Sequence, residues 1–173
     1  MNKKILNRFI HILGEKGQGR WIIIGGSVLP FLEASSRYTK DIDLAGPSTS
    51  TQNDTLLLMK IAQSLGLPIE AINQAGAFFL YKIPEWEKEI ILIHKGPSAT
   101  IYRPSAMLYL LLKLERLSET DLEDCMKMIE FSKEHPDEPI NKKRMIKIIR
   151  TYIKKSENNA KKERLRKILS VLS

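Results

Sequence analysis

Residues 21 to 24, Trp-Ile-Ile-Ile, run without a polar break into Gly25 and Gly26, and this junction limits the possible folds more than any other stretch. A short apolar run rich in β-branched residues reads as a buried strand, and two glycines at its end let the backbone turn where a Cβ would obstruct it. A short helix is expected over residues 27–33, with Pro30 tolerated in a first turn whose backbone N–H groups have no intrahelical acceptor. The chain then reaches Lys40-Asp41-Ile42-Asp43-Leu44-Ala45 before Gly46 and Pro47 end the segment. Read as a strand, it sends Asp41 and Asp43 to one side, about 6 to 7 Å apart along the chain, and turns Ile42 and Leu44 into the core.

Around this centre the patterning predicts an α+β protein. A helix is expected over residues 2–13, with Ile5, Leu6, Phe9, Ile10 and Leu13 on one face and Gly14 as its stop. Asn53 suits the cap of a helix over residues 54–65. Strands are expected at Pro-Ile-Glu-Ala-Ile-Asn (68–73), Ala-Phe-Phe-Leu-Tyr-Lys-Ile (77–83) and Glu-Ile-Ile-Leu-Ile-His (89–94), so residues 1–103 read as a small mixed β-sheet flanked by helices. From Pro104 onward the period becomes helical, giving a second region over residues 104–173. One helix there is opened by Ser118 or Thr120, each with an acid three positions later at capping-box spacing. Two apolar stripes, Met145-Ile148-Ile149-Tyr152-Ile153 and Leu165-Ile168-Leu169-Leu172, predict a packed helical hairpin at the C-terminal end.

Charge separates the two regions. Residues 141–173 hold 12 Lys and Arg against 2 Glu, leaving 16 basic and 18 acidic residues for residues 1–140. A cationic tail attracts phosphate-rich polymers such as RNA, because binding releases condensed counterions; two solvated helix faces are the plainer reading. No apolar stretch is long enough for a membrane span. Asn7 and Arg8 interrupt the apolar core that a secretory leader needs, so a cytoplasmic address is expected. The lone Cys125 excludes intrachain disulfides and cysteine-based zinc sites, and three scattered histidines lack ligand spacing.

The chemistry follows from the order of the parts. Two acids on one strand face repel, and a hard divalent cation relieves them; Mg²⁺, or Mn²⁺ in its place, suits a site with one or two carboxylates because waters and substrate phosphates complete its shell. The turn at Gly25-Gly26, with Ser27 as a hydroxyl donor, offers backbone N–H groups to an anion. Together these segments can hold a metal-bound nucleoside triphosphate. Taken singly, a diglycine after a strand is a tight turn and an acid-apolar-acid strand is a solvated rim.

In sequence, "GGSVLPFLEASSRYTKDIDL" resembles the signature of the nucleotidyltransferase superfamily related to DNA polymerase β, in which Gly-Gly or Gly-Ser precedes an acid-apolar-acid strand. Small bacterial members introduce the acids with Arg-x-Thr-x-Asp, and Arg37 and Thr39 hold those places. "LYLLLKLERLSETDLEDC" is similar to a second motif of these proteins, among them abortive-infection and toxin–antitoxin nucleotidyltransferases, with Lys113, Arg116, Asp121 and Asp124 in matching order. The resemblance covers roughly residues 20 to 131. It implies a nucleotidyltransferase fold in which Asp41 and Asp43 hold the metal and act with Lys113 and Asp121 in catalysis. Gly25, Gly26, Ser27, Arg37, Thr39 and Arg116 then bind the nucleotide. The residues also allow structural roles: Asp121 as the cap partner of Ser118, Asp124 as an ion-pair partner of Lys127 or Lys113, and Arg116, Lys40 and Lys82 as surface cations.

One departure stands out. Family enzymes take a third carboxylate from a neighbouring strand, often ahead of an apolar-His pair, and that guide falls on Leu92; Glu89 and Glu70 are the substitutes on offer. The function implied is transfer of a nucleoside monophosphate from NTP to a hydroxyl acceptor, tRNA or another RNA being favoured by the cationic tail. The alternatives are a degenerate module that binds nucleotide, RNA or a partner without turnover, and a toxin whose basic helices face a cognate antitoxin.

Overall fold

The computed structural model describes residues 2–35, 39–47 and 52–173. The protein is α+β, and the chain divides into two compact units, Met1–Pro104 and Ser105–Ser173.

The first unit is built on a five-stranded mixed sheet. Its elements are α1 (Lys3–Lys16), β1 (Gly19–Ile24), a 3₁₀ turn over Gly25–Ser27, α2 (Val28–Phe31), β2 (Ile42–Ala45) and α3 (Gln52–Ser64). After a 3₁₀ turn over Ile69–Ala71 come β3 (Ile72–Asn73), α4 (Ala77–Tyr81), a 3₁₀ turn over Trp86–Glu89, β4 (Ile90–Lys95) and β5 (Ala99–Pro104). The strands lie in the order β3-β2-β1-β5-β4. β1 pairs antiparallel with β2 and parallel with β5, so both its edges are hydrogen-bonded. That central place explains the unbroken apolar run: Trp21, Ile22, Ile23 and Ile24 are all at most 3% exposed.

Several elements depart from the expectation. Gly14 does not stop α1, which runs on to Lys16; it is buried within the helix, and a Cβ there would meet the His94 ring and lie 3.3 Å from Gly96 Cα. The glycine is a packing notch for β4 and the turn after it. Asn53 lies inside α3, which already begins at Gln52, so the cap position falls outside the described residues. Residues 77–83 are no strand. β3 already occupies the edge of β2, and Ala77–Tyr81 winds into a short helix that buries Leu80 and leaves Phe78 and Phe79 exposed. A run of consecutive aromatic and aliphatic residues has no period by which to separate the two states. The strand expected at 68–73 shrinks to Ile72–Asn73. Conversely, β5 carries too little apolar residue for its strand to be read, yet Ile101 is fully buried and pairs in register with Trp21.

The second unit is helical: α5 (Ala106–Leu114), α6 (Glu119–Glu134), α7 (Lys142–Lys155) and α8 (Asn159–Leu172). Each helix begins on a side-chain cap, Ser105, Ser118, Asn141 and Asn158 respectively. Ser118 and Asp121 form the complete capping box, whose two side chains accept from two backbone N–H groups at once. α7 and α8 bury Met145, Ile149, Leu165, Ile168 and Leu172 along the stripes read from the sequence. At about 1.5–3 kcal/mol per buried aliphatic side chain, these contacts offset repulsion between two highly charged helices. Among the described residues, no helix is long and apolar enough to cross a membrane.

Candidate functional site

The antiparallel pairing of β1 with β2 sets Ile24 opposite Asp43, so the diglycine turn leaves the sheet beside the second acid. Gly25 has φ +69°, in the left-handed region that favours glycine, and a Cβ on it would lie 2.1 Å from Asp43 Oδ2. The glycine is therefore demanded twice, once by the backbone and once by the carboxylate resting against it. On the other side, Gly76 just before α4 packs on Ile24: a Cβ there would fall 2.8 Å from Ile24 Cδ1 but 3.8 Å from Asp43 Cβ. Asp43 is half-buried in this corner, whereas Asp41, one residue before β2, is exposed. Ile42 and Leu44 are fully buried, as the alternation demands.

The other residues expected at the turn take varied places. Gly26 faces Thr39, with 3.7 Å between a built Cβ and Thr39 Oγ1, and the Thr39 hydroxyl donates to the Asp41 carbonyl at 3.1 Å. The bond is local to the approach to β2, and Thr39 meets Gly26 only at van der Waals distance. Ser27 does not offer its hydroxyl to solvent: it is fully buried and donates to the Ile24 carbonyl at 3.1 Å. An anion at this turn would rely on the backbone N–H groups of residues 25–27. Arg37 lies outside the described residues. Lys40 is exposed, and the Lys82 ammonium sits 3.9 Å from the Phe78 ring centroid.

The sheet order corrects the search for a third acid. β4 is separated from β2 by β1 and β5, so Leu92, and with it Glu89 in the turn before β4, belongs to the far side of the sheet. The neighbours of β2 are β1 and β3, and on β3 Asn73 stands in register with Asp43. Glu70 lies in the turn leading into β3 and lines a cleft of about 360 Å³ with Met59, Ile69 and Asn73. Asn73 Oδ1 accepts the Ala75 N–H at 3.2 Å. Sequence reasoning missed Asn73 and Gly76, because strand order is a long-range property that no local pattern near either residue announces.

The donor set accords with a hard, oxygen-loving cation. Among the described residues no group of three or more His, Cys, Asp and Glu side chains could hold a metal; two carboxylates alone, as Asp41 and Asp43 would offer, leave a cation to fill its shell with water and ligand oxygens. That suits Mg²⁺, which keeps waters and takes phosphate oxygens, better than a metal needing a closed protein cage.

Lys113, Arg116, Asp121 and Asp124 assemble in the second unit. The Lys113 ammonium donates to Asp121 Oδ1 at 3.0 Å and to Asp124 Oδ2 at 2.9 Å, while Arg116 grips Asp121 through Nε at 2.7 Å and Nη2 at 2.8 Å. Ser118 adds its N–H and hydroxyl to Asp121 Oδ2. Asp121 and Asp124 are 0% and 2% exposed and Lys113 8%. Burial alone would raise the Asp121 carboxyl, but the Arg116 bonds, the Lys113 charge and the Ser118 N–H outweigh it and hold the group well below the usual carboxylate range. Burial pushes the neighbouring Cys125 thiol up to about 12, so it is inert as a nucleophile. The cluster clamps α5 to α6, and its polar atoms are spent largely on one another.

No family model, no curated protein and no solved structure matches this chain.

Proposed function

We propose that the chain is a nucleotidyltransferase of the DNA polymerase β-like superfamily, its first unit carrying the nucleotidyltransferase fold. It moves a nucleoside monophosphate from an NTP to a hydroxyl acceptor on RNA, tRNA included. The observation that supports this best is the seating of the Asp43 carboxylate against Gly25, which brings an anion-binding turn and a cation-binding acid into one corner.

In this reading the triphosphate lies along the backbone N–H groups of residues 25–27, and Asp41 and Asp43 would hold Mg²⁺ or Mn²⁺ beside it. The metal supplies charge neutralisation on the phosphates. Gly25 makes room for the Asp43 carboxylate and Gly76 for Ile24, and the Thr39 hydroxyl bonds the Asp41 carbonyl just ahead of the strand that carries Asp43. The acceptor oxygen bonds to the α-phosphorus as its bond to pyrophosphate breaks, and the hydroxyl proton leaves to water. Most of the acceleration comes from holding the reactants in line. For Lys113 to meet a phosphate, it would have to leave two buried carboxylates; in its present bonds it holds α5 to α6 through Asp121 and Asp124, with Arg116 on the same Asp121.

Asn73 favours a second reading. An amide, rather than an acid, stands beside Asp43 on the adjacent strand, which suits a module that binds nucleotide without turning it over. One experiment separates the two. The purified protein is incubated with each α-³²P-labelled NTP, Mg²⁺ or Mn²⁺, and total cellular RNA. Label in RNA, lost on Asp43→Asn, supports the transferase; no label alongside measurable NTP binding supports the module, and neither label nor binding refutes both.

A further inference from the structure

α7 carries seven Lys and Arg and no Asp or Glu in 14 residues, yet its packing needs only the side that buries Met145 and Ile149. Lys143, Lys147, Arg150 and Lys154 are all exposed and follow one another at spacings of four, three and four. At 3.6 residues per turn they fall within about 60° of one another, on the side of the helix opposite Met145 and Ile149, and span about 16 Å of its axis. They form a straight cationic spine with no apolar side chain in it.

This spine works against the helix that carries it. Successive members are like charges at the i,i+3 and i,i+4 positions that repel most on a helix surface. Lys142, Lys143 and Arg144 also crowd the first turn, where the macrodipole favours acids. Among the described residues, no carboxylate pairs with any of the four spine side chains. α8 differs: Arg164 pairs with Glu119 at 2.7 Å and donates to the Leu117 carbonyl at 2.6 Å, and Lys161 donates to the Glu115 carbonyl. The cations of α8 therefore help bind the unit together, while those of the α7 spine add only repulsion to the fold.

We propose that the α7 spine is the docking track for the phosphodiester backbone of RNA, with Lys143, Lys147, Arg150 and Lys154 each facing a phosphate. A polyanion relieves both electrostatic costs at once, and a row of like charges matches a polymer that repeats its charge along a line. A protein partner would call for apolar or aromatic anchors at its centre, which the spine lacks. A bilayer would need the apolar side of α7, which is buried. The inference rests on the RNA acceptor proposed above, and not on the transfer chemistry.

The test uses the full chain, with Lys143, Lys147, Arg150 and Lys154 all changed to Gln. A matched control changes four exposed lysines of the first unit, Lys4, Lys16, Lys60 and Lys95, to Gln. Circular dichroism checks that each variant is folded, and anisotropy of a fluorescein-labelled 24-nucleotide RNA hairpin gives Kd from 50 to 200 mM KCl. The spine variant should lose at least about tenfold in affinity at 100 mM, and the slope of log K against log salt should flatten by about 3, the share of four phosphate contacts. The control should keep most of the slope. An unchanged slope in the spine variant, or an equal change in the control, overturns the proposal. So does polyglutamate binding as tightly as the hairpin with the same dependence on the spine. The readout is binding alone, so a protein that docks RNA through the spine but never labels it would sink the transferase reading and leave this one intact.

Discussion

The Asp43 carboxylate lies where the side chain of residue 25 would be: a Cβ on Gly25 would sit 2.1 Å from Asp43 Oδ2. The smallest substitution at residue 25 therefore acts on the acid as well as on the turn. Gly25→Ala forces a left-handed backbone on alanine, at about 1–2 kcal/mol, and pushes the carboxylate from its seat. NTP binding, followed by equilibrium dialysis with Mg²⁺, should fall at least about tenfold while the helical circular dichroism is kept. Binding equal to the parent protein would show that the corner is a turn and no more.

Asp43→Asn retains shape and removes one charge. It should abolish nucleotide transfer with a melting temperature within about 2 °C of the parent, since a half-buried acid beside an acidic neighbour contributes little to the fold. A variant that transfers label at the parental rate would rule out Asp43 as a metal-holding acid.

Lys113→Met leaves Asp121 and Asp124 buried together without their shared cation. Breaking a buried ion pair in this way costs about 3–5 kcal/mol, so urea unfolding of the variant should shift strongly toward lower concentration. A midpoint that does not move would mean that the clamp between α5 and α6 lies elsewhere.

The same cluster sets an acid limit. The folded Asp121 carboxyl titrates below its unfolded range near 4, so the folded state binds its proton less readily than the unfolded chain does. The stability this contributes is fully present above about pH 5 and is lost as the pH falls toward the folded value. Urea midpoints should hold from pH 7 to 5 and drop from pH 4 to 2.5. Asp121→Asn, though less stable at pH 7, should show a shallower drop. Parallel curves for the two proteins would remove Asp121 as the cause.

Gly14→Ala sets helix propensity against packing. In an open helix the change is stabilising, but here the new methyl meets the His94 ring at 2.6 Å and Gly96 Cα at 3.3 Å. Overpacking should win by about 1–3 kcal/mol and lower the melting temperature. A rise would show that the ring simply rotates aside.

Local chemistry carried the features that depend on near neighbours. The unbroken run Trp21–Ile24 reads as a buried strand, and the alternation of Asp41, Ile42, Asp43 and Leu44 turns Ile42 and Leu44 into the core and the acids away from it. The capping box at Ser118 and the two stripes of the α7–α8 hairpin were legible for the same reason, since each is a pattern within four residues on one helix.

Tertiary structure decided whatever depends on which segments meet. It placed β3, and so Asn73, next to Asp43, and sent Leu92 and Glu89 to the other side of the sheet. It made a helix of the aromatic run at 77–81, turned Ser27 inward, and used Gly14 as a contact rather than a stop. The division has one physical cause: side-chain periodicity and capping are settled within a turn or a pleat, whereas strand order and close backbone approach are settled by the packing of residues far apart in the chain.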